Sequence, residues 1–397
     1  MLRRSCELRR SSVLRCAAAG SAGLLAAALP GSPAPADAGS DEPVEQAVTG
    51  ELLERAGRLP EVTGRPPRDV AVSVTRRAGA TWAFGIGVLR AAPTAGAYPQ
   101  GWLFLAERTG GDWQVSFEGD SGFATLARRT PVLAVGEAEI LAGTGEVSLL
   151  YANGDYRTGM RLPYKLGTSW TLTGGPHGSP VRNAVDLAGG DRVVRAARAG
   201  KAYTMCRGWV RVVHDRGYAT DYYHLWSNVN VNGASVSSGT FLGYTGTDVT
   251  CGGSASGRHV HFSLRQYGDP VPIARHIIGR WTPYNGSAEY GGYALHGSRR
   301  VNVGGTLYNY GPLGFTQGIV DSYGGTSVNK RSGPGTGYRI VGAVADGATV
   351  TVSCSRNGTS HTGRFGTTSL WDRLSDGTWI SDAYLENGVS GPLRGWC

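Results

Sequence analysis

Short runs of β-branched and aromatic residues, each closed within a few positions by Gly, Asn, Asp or Ser, recur along most of this chain, while stretches with helical period are few. Runs of that length with turn residues between them favour antiparallel strands joined by tight connections. With 62 glycines among 397 residues, turn chemistry is available throughout, and the expected fold class is mostly β. The length exceeds what one core ordinarily organises, roughly 100–200 residues per domain, and predicts two or three domains.

Residues 1–38 read as an export signal. Arg3, Arg4, Arg9, Arg10 and Arg15 precede an apolar Ala/Leu run over residues 17–29, and the small-x-small sequence Ala36-Asp37-Ala38 follows. The run is shorter than the ~20 residues a membrane-spanning helix needs, and no later segment reaches that length. The expectation is a soluble, exported product, by either the Sec or the twin-arginine route.

Residues 39–145 carry ten basic and thirteen acidic side chains in a chain whose overall formal charge is +9. Val44, Ala47, Val48, Leu52 and Leu53 have helical spacing, with Pro43 before them and Gly57 after. Strand-like runs follow at residues 70–75, 81–89, 101–107 and 112–117. One helix and then an antiparallel sheet make an α+β segment that resembles the propeptides of secreted bacterial proteases. The basic remainder suits an anionic surface such as a bacterial cell wall. Nucleic acid is not expected as a partner, because the basic residues do not form a run interleaved with aromatics along one element.

Beyond Cys6 and Cys16 of the leader, Cys206, Cys251, Cys354 and Cys397 remain. Four cysteines in an exported chain suggest two disulfides. The wide gap favours local pairing, 206 with 251 and 354 with 397, among three possible connectivities.

The chemistry concentrates in residues 146–313. In GRHVHFSL, His259 and His261 stand two apart among strand formers, so both imidazoles project from one face. Upstream, GGPHGSPVRNAVDLAGG places His177 in a Gly/Pro-rich loop and Asp186 in an apolar stretch. A catalytic zinc takes three protein ligands, and His177, Asp186 and one histidine of the pair supply that set. In GWVRVVHDRGYATDYYHLW, His224 shares a strand face with Tyr222, whereas His214 beside the Asp215-Arg216-Gly217 turn reads as structural or solvated.

These three elements, in this order, resemble lysostaphin-like (LytM-type) zinc peptidases, most closely the branch of β-lytic endopeptidase and staphylolysin. The resemblance covers about residues 167–311 and implies an antiparallel β-sheet peptidase domain with one Zn2+ ion. It implies His177, Asp186 and His261 as zinc ligands and His224 and His259 as catalytic histidines, without deciding which is the base. It also implies a disulfide between Cys206 and Cys251, and that Tyr308, in RRVNVGGTLYNY, helps stabilise the tetrahedral intermediate. Eight residues separate His177 from Asp186, where the commonest family pattern has three; the branch carries a long insert there. The implied substrate is bacterial peptidoglycan peptide, cut between small residues such as Gly-Gly, and the expected state is a monomer.

Residues 318–397 show short strand runs at 327–330, 340–344, 349–352, 370–374 and 378–381, spaced as in a small barrel. SVNKRSGPGTGYRIVGAVADGATVTV resembles bacterial SH3-like domains, which implies wall binding, with Tyr338 and Trp379 as candidate peptide contacts. The expected organisation is therefore a signal peptide (1–38), a propeptide-like segment (39–145), a zinc peptidase (146–313) and an SH3-like domain (318–397). A secreted, wall-associated endopeptidase made as a latent precursor is the leading reading. The alternative is a non-catalytic wall-binding or regulatory protein on the same fold.

Overall fold

The computed structural model describes residues 43–58, 69–94, 96–143 and 150–397. The expected signal peptide lies outside the described residues. Among the described residues, no helix is long and apolar enough to cross a membrane. The chain is mostly β, as its turn-punctuated sequence requires, and its strands fall chiefly into a four-stranded, a nine-stranded and a seven-stranded sheet.

The first helix forms over Val44–Arg58. Its Val44, Val48, Leu52 and Ala56 recur at i+4 and pack on Ala83, Trp102, Phe104 and Ala106. Those residues belong to one face of an antiparallel sheet built from Val70–Ala78, Trp82–Leu89, Gln100–Thr109 and Asp112–Phe117, paired in chain order. The alternate residues Leu103 and Leu105 point to the opposite face and are equally buried. This double burial explains why Gly101–Ala106 reads as a continuous apolar run rather than an alternating one.

The second face is covered by helices Ser121–Arg129 and Val135–Ala142, which sequence reasoning missed because each offers only two turns of period. It is also covered by the outer surface of the nine-stranded central sheet. Phe84, Ile86, Val88, Leu103 and Leu105 form one apolar cluster with Tyr203, Met205, Trp209, Val213, Ala219 and Tyr223. Arg76 is hydrogen-bonded through both terminal nitrogens to the Glu137 carboxylate, which also accepts from Tyr203 Oη at 2.7 Å.

The central sheet runs Asn232–Val236, Gly200–Cys206, Trp209–Val213, Tyr218–Tyr223, Val260–Gln266, Ala184–Ala188, Ser169–His177 and Thr306–Tyr308, with Asp269–Pro270 added beside Val260–Gln266. Its other face buries Trp170, Leu172, Leu187, Val210, Tyr222, Val260, Phe262 and Trp281. A seven-stranded antiparallel sheet follows from Gln317 to Glu386, with Gly366–Leu374 and Thr349–Gly363 as its longest pair. Disulfides join Cys206 to Cys251 and Cys354 to Cys397, the local pairing expected from the spacing.

Candidate active site

Cross-strand register assembles the site. Val260–Gln266 lies between Tyr218–Tyr223 and Ala184–Ala188, which sets His261 opposite Asp186 on one side and Tyr223 on the other. His177 reaches the same face through a bulge. Gly174 opposes Asp186, yet His177, three residues on, opposes Ala184, only two residues back. Without the extra residue Pro176 would take that place and His177 would turn to the far face.

The result is a compact donor set. His177 Nε2 stands 3.0 Å from His261 Nδ1, and Asp186 Oδ1 lies 3.4 Å from each of these nitrogens. His259 Nε2 is 3.7 Å from the same oxygen. Gly174 makes this approach possible, since a Cβ there would fall 2.7 Å from Asp186 Oδ2. His224 follows its strand with φ of 67°, a left-handed backbone that few non-glycine residues adopt, and its ring centroid lies 4.8 Å from that of His259.

Backbone carbonyls fix three of the rings. His177 Nδ1–H donates to Gly175 O at 2.8 Å, His224 Nδ1–H to Asp248 O at 2.9 Å and His259 Nδ1–H to Gly257 O at 2.7 Å. Each bond leaves Nε2 as the basic nitrogen. Burial lowers the His177 imidazole to about 4, and burial with the nearby His261 and His259 lowers His224 to about 3. Burial works to raise Asp186, but the hydrogen-bonding and charge influence of His261, His177 and His259 prevails and holds it at about 2.

Neutral His177 and His224 imidazoles near an ionised carboxylate favour a cation there. His177, Asp186 and His261 each offer one ligand atom, and these atoms lie within 4.8 Å of one another. Asp186 Oδ1 is buried and accepts no hydrogen bond, an arrangement that a metal ion with nitrogen and oxygen ligands would satisfy. The residues present therefore fit such an ion.

Other sequence candidates fall elsewhere. His214 is buried, with Nδ1 bonded to Ala199 O and Nε2 to Thr220 Oγ1, in keeping with a structural part. Tyr308 pairs with Ser169, eight residues before His177 on the same strand, or roughly 25 Å at ~3.3 Å per residue. Its ring meets Tyr310 edge-on. The tyrosine against the candidate ligands is Tyr290, stacked on His177 with ring centroids 4.0 Å apart. It rides an irregular loop with φ of 62°, so no periodicity announces it.

A second unannounced neighbour comes from the N-terminal sheet. Tyr98 places its ring 5.8 Å from that of His261, in the connection between Trp82–Leu89 and Gln100–Thr109. In that connection Ala91 N–H donates to Cys251 O at 3.1 Å, and Gly253 N–H donates to Ala92 O at 3.2 Å.

Comparison with known proteins covers the same stretch of chain. The model of Peptidase family M23 matches residues 176–273, a span that holds His177, Asp186, His224, His259 and His261. Beta-lytic metalloendopeptidase of Lysobacter enzymogenes is 32% identical over 127 residues, covering 28% of this chain and 70% of that protein. Protease LasA of Pseudomonas aeruginosa is 35% identical over 145 residues, covering 33% of this chain. The match spans only 35% of the LasA length. Among solved structures, the M23 metalloprotease pseudoalterin is 30% identical, with 38% of this chain and 97% of that chain covered and a TM-score of 0.36. On the identity and coverage shared with the Lysobacter relative, this chain belongs to peptidase family M23.

Proposed function

We propose that the chain is a secreted zinc endopeptidase that hydrolyses peptide cross-links of bacterial peptidoglycan, at Gly-Gly or similar small-residue bonds, as a monomer. The observation that carries this reading is the convergence of His177, Asp186 and His261 on one point, with His224 and His259 as two further imidazoles beside it. His177, Asp186 and His261 would hold the ion. Zinc bound there supplies Lewis acidity, which acidifies water and polarises a carbonyl.

The remaining work belongs to the chain. His224 and His259 present basic Nε2 atoms, because both Nδ1 protons are committed to carbonyls. One accepts the proton of the attacking water and a proton is returned to the departing amine nitrogen. The other, in its imidazolium form with Nε2 protonated as well, donates to the developing oxyanion. His259, with 14% of its side chain exposed, meets solvent and substrate more readily than the buried His224.

Two disulfides and the family relationship support action outside the cell. We assign the seven-stranded sheet as the wall-binding, SH3-like part and residues 39–145 as a segment that keeps the precursor latent. Tyr338 remains exposed and available to a wall peptide, whereas Trp379 is buried and belongs to the core of its sheet.

The test is hydrolysis of pentaglycine and of purified cell walls by the chain carrying a specific protease site between Gly143 and Leu150, before and after cutting. Chelator-sensitive cleavage that His261→Ala abolishes is the expected result. Wall binding without cleavage by a folded, zinc-loaded protein would instead favour a binding role.

A further inference from the structure

An open cavity of about 500 Å³ lies where the peptidase fold meets the seven-stranded sheet, and none of the site histidines lines it. Its volume falls within the roughly 300–1,000 Å³ of ordinary ligand pockets. Main chain stitches the seam beside it. Tyr156 N–H donates to Gly388 O at 2.7 Å, Ser390 N–H to Gly154 O at 3.1 Å and Ile277 N–H to Tyr156 O at 3.1 Å. At the rim Trp396 is fixed by its neighbours, since Ser355 N–H donates to Gly395 O and Cys397 N–H to Ser355 O, each at 2.9 Å, and Cys397 is bonded to Cys354. Walls held in this way are preorganised for a ligand.

The lining is acidic and aromatic. Asp382 and Glu386 bring carboxyl groups to it, and Tyr156, Tyr284, Phe365 and Trp396 bring rings. Trp396 and Phe365 are 60% and 40% exposed, which leaves them open to an occupant. Arg275 also lines the cavity but is engaged, its guanidinium lying 4.4 Å over the Tyr156 ring and donating to Tyr156 Oη at 3.2 Å.

Two polar groups here lack partners. Thr282 is 1% exposed and lines the cavity, yet its Oγ1 makes no hydrogen bond. Beside Asp382, the wholly buried Asp372 accepts from Ser355 Oγ at 2.6 Å with one oxygen, and the other finds a donor only if Asp382 carries a proton. Burial and then this neighbour push Asp382 up to about 8, and burial pushes Glu386 up to about 7. Each carboxyl holds its proton past the ordinary range, and a cation in the cavity would take that proton's place. Aromatic faces favour the same charge.

We infer that this cavity binds a primary ammonium group carried on a peptide, with Asp382 and Glu386 as counter-charges, Thr282 Oγ1 as an acceptor and Trp396 and Phe365 as the rim. An ammonium has three N–H donors, which the hydroxyl oxygen and the two carboxylates can share. A lysine-type side chain and a free peptide amino terminus both present that group. The inference goes beyond the peptidase reading and needs neither zinc nor hydrolysis. A peptide so held is anchored to the peptidase fold and to the C-terminal sheet at once, because the cavity draws its wall from both.

The experiment titrates the whole chain by calorimetry at about pH 7 with three short peptides. Acetyl-Ala-Lys-amide carries the ammonium on its side chain, Ala-Ala-amide carries it at the terminus, and acetyl-Ala-(Nε-acetyl)Lys-amide has none. At least one amine is expected to bind about tenfold or more tightly than the acetylated peptide, and which one does names the source. Asp382→Asn and Glu386→Gln should each weaken that binding about tenfold or more, as loss of a charged hydrogen-bond partner does. Thermal melting checks that both variants are folded. Trp396→Ala, a truncation at an exposed ring, should weaken binding roughly two- to fivefold. Equal affinity for all three peptides, or undiminished binding in the carboxyl variants and in Trp396→Ala, would overturn the inference. Binding of tri-N-acetylglucosamine with neither amine bound would overturn it in favour of a glycan site.

Discussion

Glu118, in the turn just after the N-terminal sheet, and Arg211 of the central sheet form an ion pair at 2.9 Å with both side chains wholly withdrawn from solvent. Arg211 also forks onto Asp221, through Nε at 2.8 Å and a terminal nitrogen at 2.9 Å. The guanidinium thus sits between one carboxylate of its own sheet and one supplied from the N-terminal side. Removing one partner of a buried pair costs about 3–5 kcal/mol, and the surviving Asp221 contact places Glu118→Ala near the lower end. Urea denaturation should show that loss, with Glu118→Gln milder. An unchanged midpoint would mean that water reaches Arg211.

Metal content separates the ligands from their neighbours. Asp186→Ala and His261→Ala should each reduce zinc affinity beyond the roughly 10–100-fold typical of outer-sphere changes. Elemental analysis after dialysis against a weak chelator is the check. A variant that keeps one zinc per chain would remove that residue from the ligand set.

Tyr290 touches a proposed ligand without being one. Tyr290→Phe preserves the ring stacked on His177, whereas Tyr290→Ala frees that imidazole to turn. A zinc affinity roughly tenfold weaker in the alanine variant, with the phenylalanine variant near normal, is the expected pattern. Equal losses in both would point to the hydroxyl instead of the ring.

For His224 and His259 the expectation is the reverse of that for the ligands. Replacing either with alanine should lower kcat by about 10²–10⁴ while zinc binding persists, because proton transfer is lost and the ligand set is not. Steady-state kinetics on pentaglycine beside metal analysis decides it.

The C-terminal sheet carries its own pH dependence. Burial, followed by the neighbouring Asp372 carboxylate, pushes the Asp382 carboxyl up to about 8. The folded chain then holds a proton that the unfolded chain releases above about 4, so stability falls as pH rises from about 4 towards 8. Asp382→Asn should flatten that decline and raise the melting temperature at pH 8. Tryptophan fluorescence reports the transition, since Trp371 and Trp379 lie in this sheet.

The five polar residues of the site were legible because imidazole and carboxylate chemistry is scarce, and strand alternation already set His259 and His261 on one face. The bulge that returns His177 to that face was not, since register depends on partners far along the chain. Tyr308 lies away from that cluster for a related reason. Its strand pairs with the far end of Ser169–His177, and nothing in RRVNVGGTLYNY encodes which end. Tyr290 and Tyr98 arrive on irregular loops, beyond the reach of periodicity. The sequence also suggested separate segments, whereas Leu103, Leu105, Trp209 and Tyr223 share one core. Two apolar faces that cover each other look like two independent cores until they are docked.

That shared core bears on how a precursor would mature. A cut between Gly143 and Leu150 would leave every contact of the cluster in place and change only the order of the equilibrium. A covalently tethered segment acts at roughly millimolar effective concentration, but a severed one is governed by mass action. Scission would then arm the protein without releasing it, and dilution into the surroundings would set the moment of opening.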